Sequence, residues 1–310
     1  MRKLFLIYNP ASGQRTRKRA EQVALVTEVF RHAGMQVEAC ATTHRGSAVE
    51  QTRLAVEAGC DLVVACGGDG TFNECLNGMM QATRKADLGV VPLGSGNLLA
   101  TDLHLPSNPV RAAHALLSYK ARDVQPGTIT CQTLHGPETR HFIIAAGVGS
   151  DAELMYRTAA EIKERFGRNA YFIEMARMTF KGEFPLFHVE WKDEQGAPHS
   201  DNVALVMAIR ARKFPGLLRF VNLRSSLLKP EYALLLFRTD KVRHFLNYFA
   251  SIASGLNWRV PQIDVVHASW FRCAANSEPR IRCQADGELL GSVPAEVGIA
   301  GKTFRLLMPE

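Results

Sequence analysis

The sequence predicts an α/β fold joined to a β fold: an N-terminal open α/β sheet over residues 1–123 and a C-terminal antiparallel β-sandwich over 124–297. Three observations lead there. Up to residue 123, short apolar runs alternate with amphipathic helical stretches, the pattern of a mainly parallel sheet. From Val124 onward, short strands follow one another with polar turns and little helix between them, which is an antiparallel pattern. The chain of 310 residues is long enough to bury two separate cores.

Composition narrows the class. Hydrophobic content of 46% and charged content of 22% are those of a globular protein. No apolar run reaches the ~18 residues needed to span a bilayer, so a soluble or peripheral protein is expected. Met1 to Tyr8 imitates a signal peptide, but Asn9-Pro10 ends its apolar run short of the ~7–15 residues of an h-region, and it reads as a first strand. Seven cysteines form no CxxC pair and no zinc spacing, which fits a reducing cytoplasm. The net charge of +7 is spread along the chain without a nucleic-acid-binding pattern, so a membrane surface or a phosphate ligand is the expected partner and nucleic acid is not.

Residues 2–8 read as a strand that enters the small polar turn Asn9-Pro10-Ala11-Ser12-Gly13. A helix follows from near Thr16, with Val23, Leu25, Val26, Val29 and Phe30 at helical spacing and Gly34 closing it. Met35 to Ala41 is a second strand, Ser47 to Gly59 a second helix and residues 61–66 a third strand. That strand stops at Gly67-Gly68-Asp69-Gly70, where a turn opening a helix aims backbone N–H groups outward, as a phosphate requires. A Gly-Gly-Asp-Gly taken alone fits a purely structural turn equally well. A fourth strand runs into Gly94-Ser95-Gly96-Asn97, which offers flexible backbone, a hydroxyl and an amide. A helix from about Pro109 to Tyr119 closes this half. All these loops fall where ligands of open α/β sheets bind, beyond the carboxyl ends of the strands. There is no Walker-type phosphate loop and no His-Arg-Asp or Asp-Phe-Gly, so phosphate chemistry must rest on backbone amides, acids and a metal.

The second half shows strands at Gly127 to Thr133, His141 to Ala145, Phe187 to Trp191, Val203 to Arg210, Tyr232 to Phe237 and Val265 to Cys273. Helical insertions are expected at Asn169 to Phe180 and at Val242 to Ile252. Gly147 to Glu153 is a glycine and acid cluster in which Asp151 either caps a helix or meets a ligand. Gln284-Ala285-Asp286-Gly287-Glu288 holds two carboxylates one residue apart, on one face of an extended segment or around a hairpin turn.

Taken together, NPASG, GGDGTFNECLNG, PLGSGNLLA and DGE, in this order over nearly the whole chain, resemble the diacylglycerol kinase and sphingosine kinase-like lipid kinases. NAD kinases share only a shorter part of the GGDG element. The resemblance implies a phosphofructokinase/NAD kinase-like first domain, rejoined by 298–310, and a lipid acceptor entering between the halves. It implies ATP and Mg²⁺ as cofactors and a cytoplasmic protein peripherally bound to membrane. Nucleotide contacts are implied for Asn9, Pro10, Ala11, Ser12, Gly13, Thr42, Gly67, Gly68, Asp69, Gly70, Thr71, Asn73, Glu74, Gly94, Ser95 and Asn97. Asp69 would act through ATP-bound Mg²⁺, Glu288 as the base, Asp286 as its metal-linked or orienting partner, and Asp151 beside the acceptor hydroxyl. The chain departs from the family pattern at Ser95, often threonine, and at Leu98, often aspartate. It also has no acid in Arg219 to Pro230, where relatives hold a structural Mg²⁺, so that site is expected to be missing. Arg157, Lys163, Arg165 and Arg168 ahead of the first helical insertion suit an anionic membrane. The alternatives are a regulator that kept the fold and lost the chemistry, and an NAD kinase-like enzyme. The sequence names neither the lipid nor the oligomeric state.

Overall fold

The structure, a computed structural model, describes residues 1–10, 16–157, 177–178, 184–212, 225–241, 243–247, 262–274 and 281–310, with side chains of the first helix described from residue 19. The chain forms two compact units, Met1–Pro126 with Ala300–Glu310, and Gly127–Ile299.

The first unit runs β1 (Lys3–Tyr8), α1 (Thr16–His32), β2 (Gln36–Ala41), α2 (Ser47–Glu57), β3 (Leu62–Gly67), α3 (Asp69–Gln81), β4 (Asp87–Pro92), α4 (Leu98–Asp102), α5 (Pro109–Leu116) and β5 (Lys120–Val124). The chain's last strand, β17 (Phe304–Met308), completes a six-stranded sheet in the order β2-β1-β3-β4-β17-β5. Neighbours are parallel except for β17 and β5. Every residue of β3 and β4 is buried, which explains their unbroken apolar reading: a central parallel strand is covered on both faces. The register pairs Tyr8 with both Ala41 and Cys66, and Gly67 with Pro92, so β1 to β4 finish level. The loops that follow them therefore leave one edge of the sheet. At α5, the Asn108 side chain accepts from Arg111 N and Pro109 opens the helix, a cap written in the sequence.

The second unit contains β6 (Gly127–Thr133), β7 (Gly136–Phe142), β8 (Ala145–Gly149), α6 (Ser150–Arg157), β9 (Phe187–Lys192), β10 (Pro198–Val203), β11 (Leu205–Ile209), β12 (Tyr232–Phe237), β13 (Ile263–Ala268), β14 (Trp270–Cys273), β15 (Arg282–Ala285) and β16 (Glu288–Ile299). Its described strands form one antiparallel eleven-stranded sheet rather than the two separate sheets expected of a sandwich. The main path is β10-β9-β14-β16-β15-β8-β11-β12-β13, with β6 joining β16 to β7. This sheet folds over on itself. Tyr232 Oη on β12 donates to Val297 O on β16 at 3.2 Å, although three strands separate the two in the ladder. The Tyr232 ring also meets Phe271 of β14 edge-on at 6.1 Å. Between the facing parts lie Phe142, Phe187, Trp191, Phe271, Leu234 and Cys283, all buried.

Two long strands expected here are each split, Val203 to Arg210 at Ala204 and Val265 to Cys273 at Ser269. The expected insertion at Asn169 to Phe180 and its preceding basic residues Lys163, Arg165 and Arg168 lie outside the described residues, apart from residues 177–178. Of Val242 to Ile252, residues 243–247 are described and helical. Among the described residues, no helix is long and apolar enough to cross a membrane.

Candidate active site

In the first unit, the two glycine motifs form one assembly. Asp69 opens α3, and its carboxylate reaches across to α4: Oδ2 accepts from Leu98 N at 3.0 Å and Oδ1 from Leu99 N at 3.1 Å. The acid thus supplies the cap that α4 lacks locally. Asn97, in the left-handed region at φ 52°, closes its own loop by accepting from Gly94 N at 3.0 Å and donating to Gly94 O at 2.7 Å. Leu93 N donates to Gly67 O at 2.8 Å, carrying the strand ladder up to the point where the loops begin. Gly68 and Gly94 touch backbone to backbone; a Cβ on Gly68 would stand 3.3 Å from Gly94 Cα. Ser95 and Gly96 remain exposed above this contact.

Gly68 brings no capping side chain to α3, so the first-turn amides, Gly70 and Thr71 among them, face the loop edge as donors for an anion. Asn9 and Pro10 follow β1 on the same edge, and Thr42 N donates to Tyr8 O at 2.8 Å there. Ala11, Ser12 and Gly13 lie outside the described residues.

Three of the nucleotide positions implied by resemblance turn inward. Thr71 and Asn73 are buried on α3. Glu74 accepts from Gly46 N at 2.8 Å and from Ala48 N at 3.0 Å, so its carboxylate binds the start of α2. These side chains support the loops rather than lining them. Glu74, one turn into α3, reaches the start of α2, whereas the Thr71 side chain, still in the first turn, packs back on Gly67 at the end of β3.

The donors fit a metal that arrives on phosphate. Each Asp69 oxygen accepts one described backbone N–H and keeps a further lone pair. Among the described residues, no three His, Cys, Asp or Glu side chains gather into a metal cage. Mg²⁺ is commonly held by one or two carboxylates plus substrate phosphates, which is what Asp69 can offer.

In the second unit, Asp286 and Gly287 form a two-residue turn joining β15 to β16, with φ of 46° and 87°. Asp-Gly is the preferred pair for such a turn. Asp286 and Glu288 therefore do not share the face of an extended segment. The Asp286 carboxylate turns back onto the β7–β8 junction, where Oδ2 accepts from Ile143 N at 2.9 Å and Oδ1 from Ile144 N at 2.8 Å and Ala145 N at 2.9 Å. Asp286 is an anchor, and Glu288, the first residue of β16, stands half-exposed beyond the turn.

Asp151, half-buried in the first turn of α6, accepts from Gln284 Nε2 at 2.9 Å. Burial pushes its carboxyl up to about 6, and the Gln284 hydrogen bond pulls the other way. Gln284 Oε1 in turn accepts from Gly287 N at 3.1 Å. Asp151 and the Asp-Gly-Glu turn, far apart in sequence, thus belong to one hydrogen-bonded group.

Sequence reading missed Gln284 and Arg210. Arg210 is fully buried, donates through Nη2 to Leu227 O at 3.0 Å, and carries a charge facing Asp286. Burial pulls its guanidinium down to about 10, and Asp286 partly restores it. A polar residue at the end of an apolar strand, as in Ala-Ile-Arg, was the available signal.

A parallel sheet with two interlocked glycine loops at its carboxyl edge is a setting in which open α/β proteins bind phosphate groups. Residues 3–129 match the family described as diacylglycerol kinase catalytic domain, so the resemblance read from the motifs holds. The diacylglycerol kinase of Bacillus subtilis (strain 168) is 25% identical over 100% of this chain and 97% of its own length. That of Staphylococcus epidermidis (strain ATCC 35984 / DSM 28319 / BCRC 17069 / CCUG 31568 / BM 3577 / RP62A) is 34% identical over 61% of this chain, which there spans 56% of the relative. A crystal structure of a Bacillus anthracis str. Sterne protein superposes with a TM-score of 0.76 at 21% identity, covering 99% of this chain and 95% of that one, a likeness of fold.

Proposed function

We propose that the protein is an ATP- and Mg²⁺-dependent lipid kinase that transfers the γ-phosphate to the hydroxyl of diacylglycerol or a related lipid. The observation that carries this reading is the joining of the GGDG and GSGN loops through Asp69, which grips the Leu98 and Leu99 amides. Residues 1–123, rejoined by 298–310, hold the nucleotide, and 124–297 carry the lipid substrate and the base. First-turn amides of α3 and the exposed backbone around Gly96 hold phosphate oxygens, and Ser95, Thr42, Asn9 and Pro10 contact the rest of the nucleotide. A Mg²⁺ ion carried by the nucleotide supplies charge neutralisation at the transferring phosphate, and Asp69 would hold it.

Glu288 takes the acceptor hydroxyl's proton as the new bond forms, because a neutral alcohol is a poor nucleophile. Asp286 orients it by fixing the turn, and Asp151 accepts a hydrogen bond from the lipid. The net charge of +7 suits peripheral attachment to anionic headgroups on the cytoplasmic side of a membrane, where such a lipid resides.

The test is transfer of label from radiolabelled ATP, with Mg²⁺, to a mixed-micelle panel of diacylglycerol, sphingoid base, ceramide, phosphatidylglycerol and an isoprenoid alcohol, resolved by thin-layer chromatography. A labelled lipid that is lost in the Glu288→Gln variant is expected. Turnover unchanged in that variant rules out Glu288 as the base.

A further inference from the structure

Gln284 occupies an unusual place on β15. Its neighbours Cys283 and Ala285 point into the core of the second unit, whereas the Gln284 side chain lies on the other face, against α6, and is still only 3% exposed. Across the ladder it faces Gly147 of β8, and a Cβ there would come 2.9 Å from Gln284 Nε2 and 3.1 Å from Asp151 Oδ2. The absent side chain leaves the space in which the amide and the carboxylate meet.

A buried primary amide has one donor end and one acceptor end, and both are used here. Oε1 accepts from Gly287 N at 3.1 Å, and Nε2 donates to Asp151 Oδ2 at 2.9 Å. A backbone N–H can only donate, so the oxygen must face Gly287 and the nitrogen must face Asp151. The amide is therefore locked in one orientation whatever the protonation state of Asp151. Asp151 Oδ2 is committed as an acceptor within the protein, and Oδ1 is the oxygen from which it can address a substrate hydroxyl. The other end fixes the second residue of the Asp286–Gly287 turn, one peptide before Glu288.

We propose that Gln284 is a positioning residue that sets the Asp-Gly-Glu turn and the Asp151 carboxylate at a fixed mutual distance, so that acceptor orientation and proton removal are aligned. This rests on the roles given above to Glu288 and Asp151. Gln284 itself touches no reacting atom. Its contribution is preorganisation, and displacements of about 1 Å at such sites can cost on the order of a hundredfold in rate.

The experiment measures kcat, KM for ATP and KM for diacylglycerol in mixed micelles, together with the thermal midpoint, for wild type, Gln284→Leu, Gln284→Glu and Glu288→Gln. Gln284→Leu keeps the volume and removes both hydrogen bonds; kcat is expected to fall about ten- to a hundredfold while KM for ATP stays within about twofold. Gln284→Glu opposes a second carboxylate to Asp151 at neutral pH. One shared proton restores both a donor toward Asp151 and an acceptor for Gly287 N–H. Its activity relative to wild type is therefore expected to rise as pH falls from about 8 to about 6.

A role confined to stability predicts instead a lowered thermal midpoint, wild-type kcat in the folded fraction and a relative activity flat with pH. That outcome, with Glu288→Gln inactive, overturns the role of Gln284 alone. A fully active Glu288→Gln, or no transfer to diacylglycerol by wild type, overturns the underlying reading and this inference with it.

Discussion

Gly94 has no room for a side chain because Gly68 stands against it: a Cβ would lie 2.5 Å from Gly68 Cα and 2.9 Å from Asn97 Oδ1. Neither neighbour can step aside, since one is backbone and the other closes the loop. Gly94→Ala must part the two motifs, at a cost of about 1–3 kcal/mol for forced overpacking. ATP affinity, followed by isothermal titration calorimetry, is expected to drop tenfold or more.

Asp69 joins the same two loops by its side chain. Asp69→Ala leaves the Leu98 and Leu99 amides without their acceptor and is expected to cost about 1–2 kcal/mol in urea denaturation, the range of a lost helix cap. Asp69→Asn keeps one acceptor oxygen and should lose about half as much stability. ATP binding should weaken in both.

For Asp286, the three amides it accepts make substitution costly. Asp286→Ala strands Ile143, Ile144 and Ala145 N–H groups and places alanine at φ 46°, so a loss of about 2–4 kcal/mol is expected. Arg210 is coupled to it by charge. In a double-mutant cycle of Arg210→Met and Asp286→Asn, the pair should cost less than the sum of the singles by about 1–2 kcal/mol.

Asp151 gives a pH dependence. Its carboxyl titrates near 4 in an unfolded chain and at about 6 when folded, so the fold binds its proton more tightly. Its contribution to stability is full below about pH 4 and is lost as pH rises to about 6. Asp151→Asn, neutral throughout, should therefore raise the thermal midpoint relative to wild type at pH 7.5, and the gain should vanish near pH 4. Partial solvent access reduces the effect to on the order of 1–2 kcal/mol. Activity in the variant should fall even as stability rises.

Local chemistry made much of this legible. The Leu62–Gly67 run and its glycines showed a buried strand ending in a turn, and Asp-Gly before Glu288 allowed a hairpin as one of two readings. What stayed hidden depends on partners distant in the chain. Lys120–Val124 shows little apolar patterning because it is an outer strand whose only neighbour among the described strands is β17. No local pattern assigns the Asp69 carboxylate to amides of α4, Glu74 to the start of α2, or Gln284 to Asp151. Each bond crosses between elements that only the folded chain brings together, and polar residues carry no periodicity that would announce it.

The insertion of β17 between β4 and β5 sets an order of events during synthesis. Among the described residues β5 has no other strand partner, and β4 keeps a bare side until Phe304–Met308 arrives. Both must wait while the ribosome makes the whole of the second unit. An exposed strand side is a template for wrong pairing, so the nascent chain passes through a sticky interval that ends only when Phe304–Met308 emerges. Conditions that slow translation lengthen that interval, and chaperone demand should follow the timing of the last strand more than the strength of the finished core.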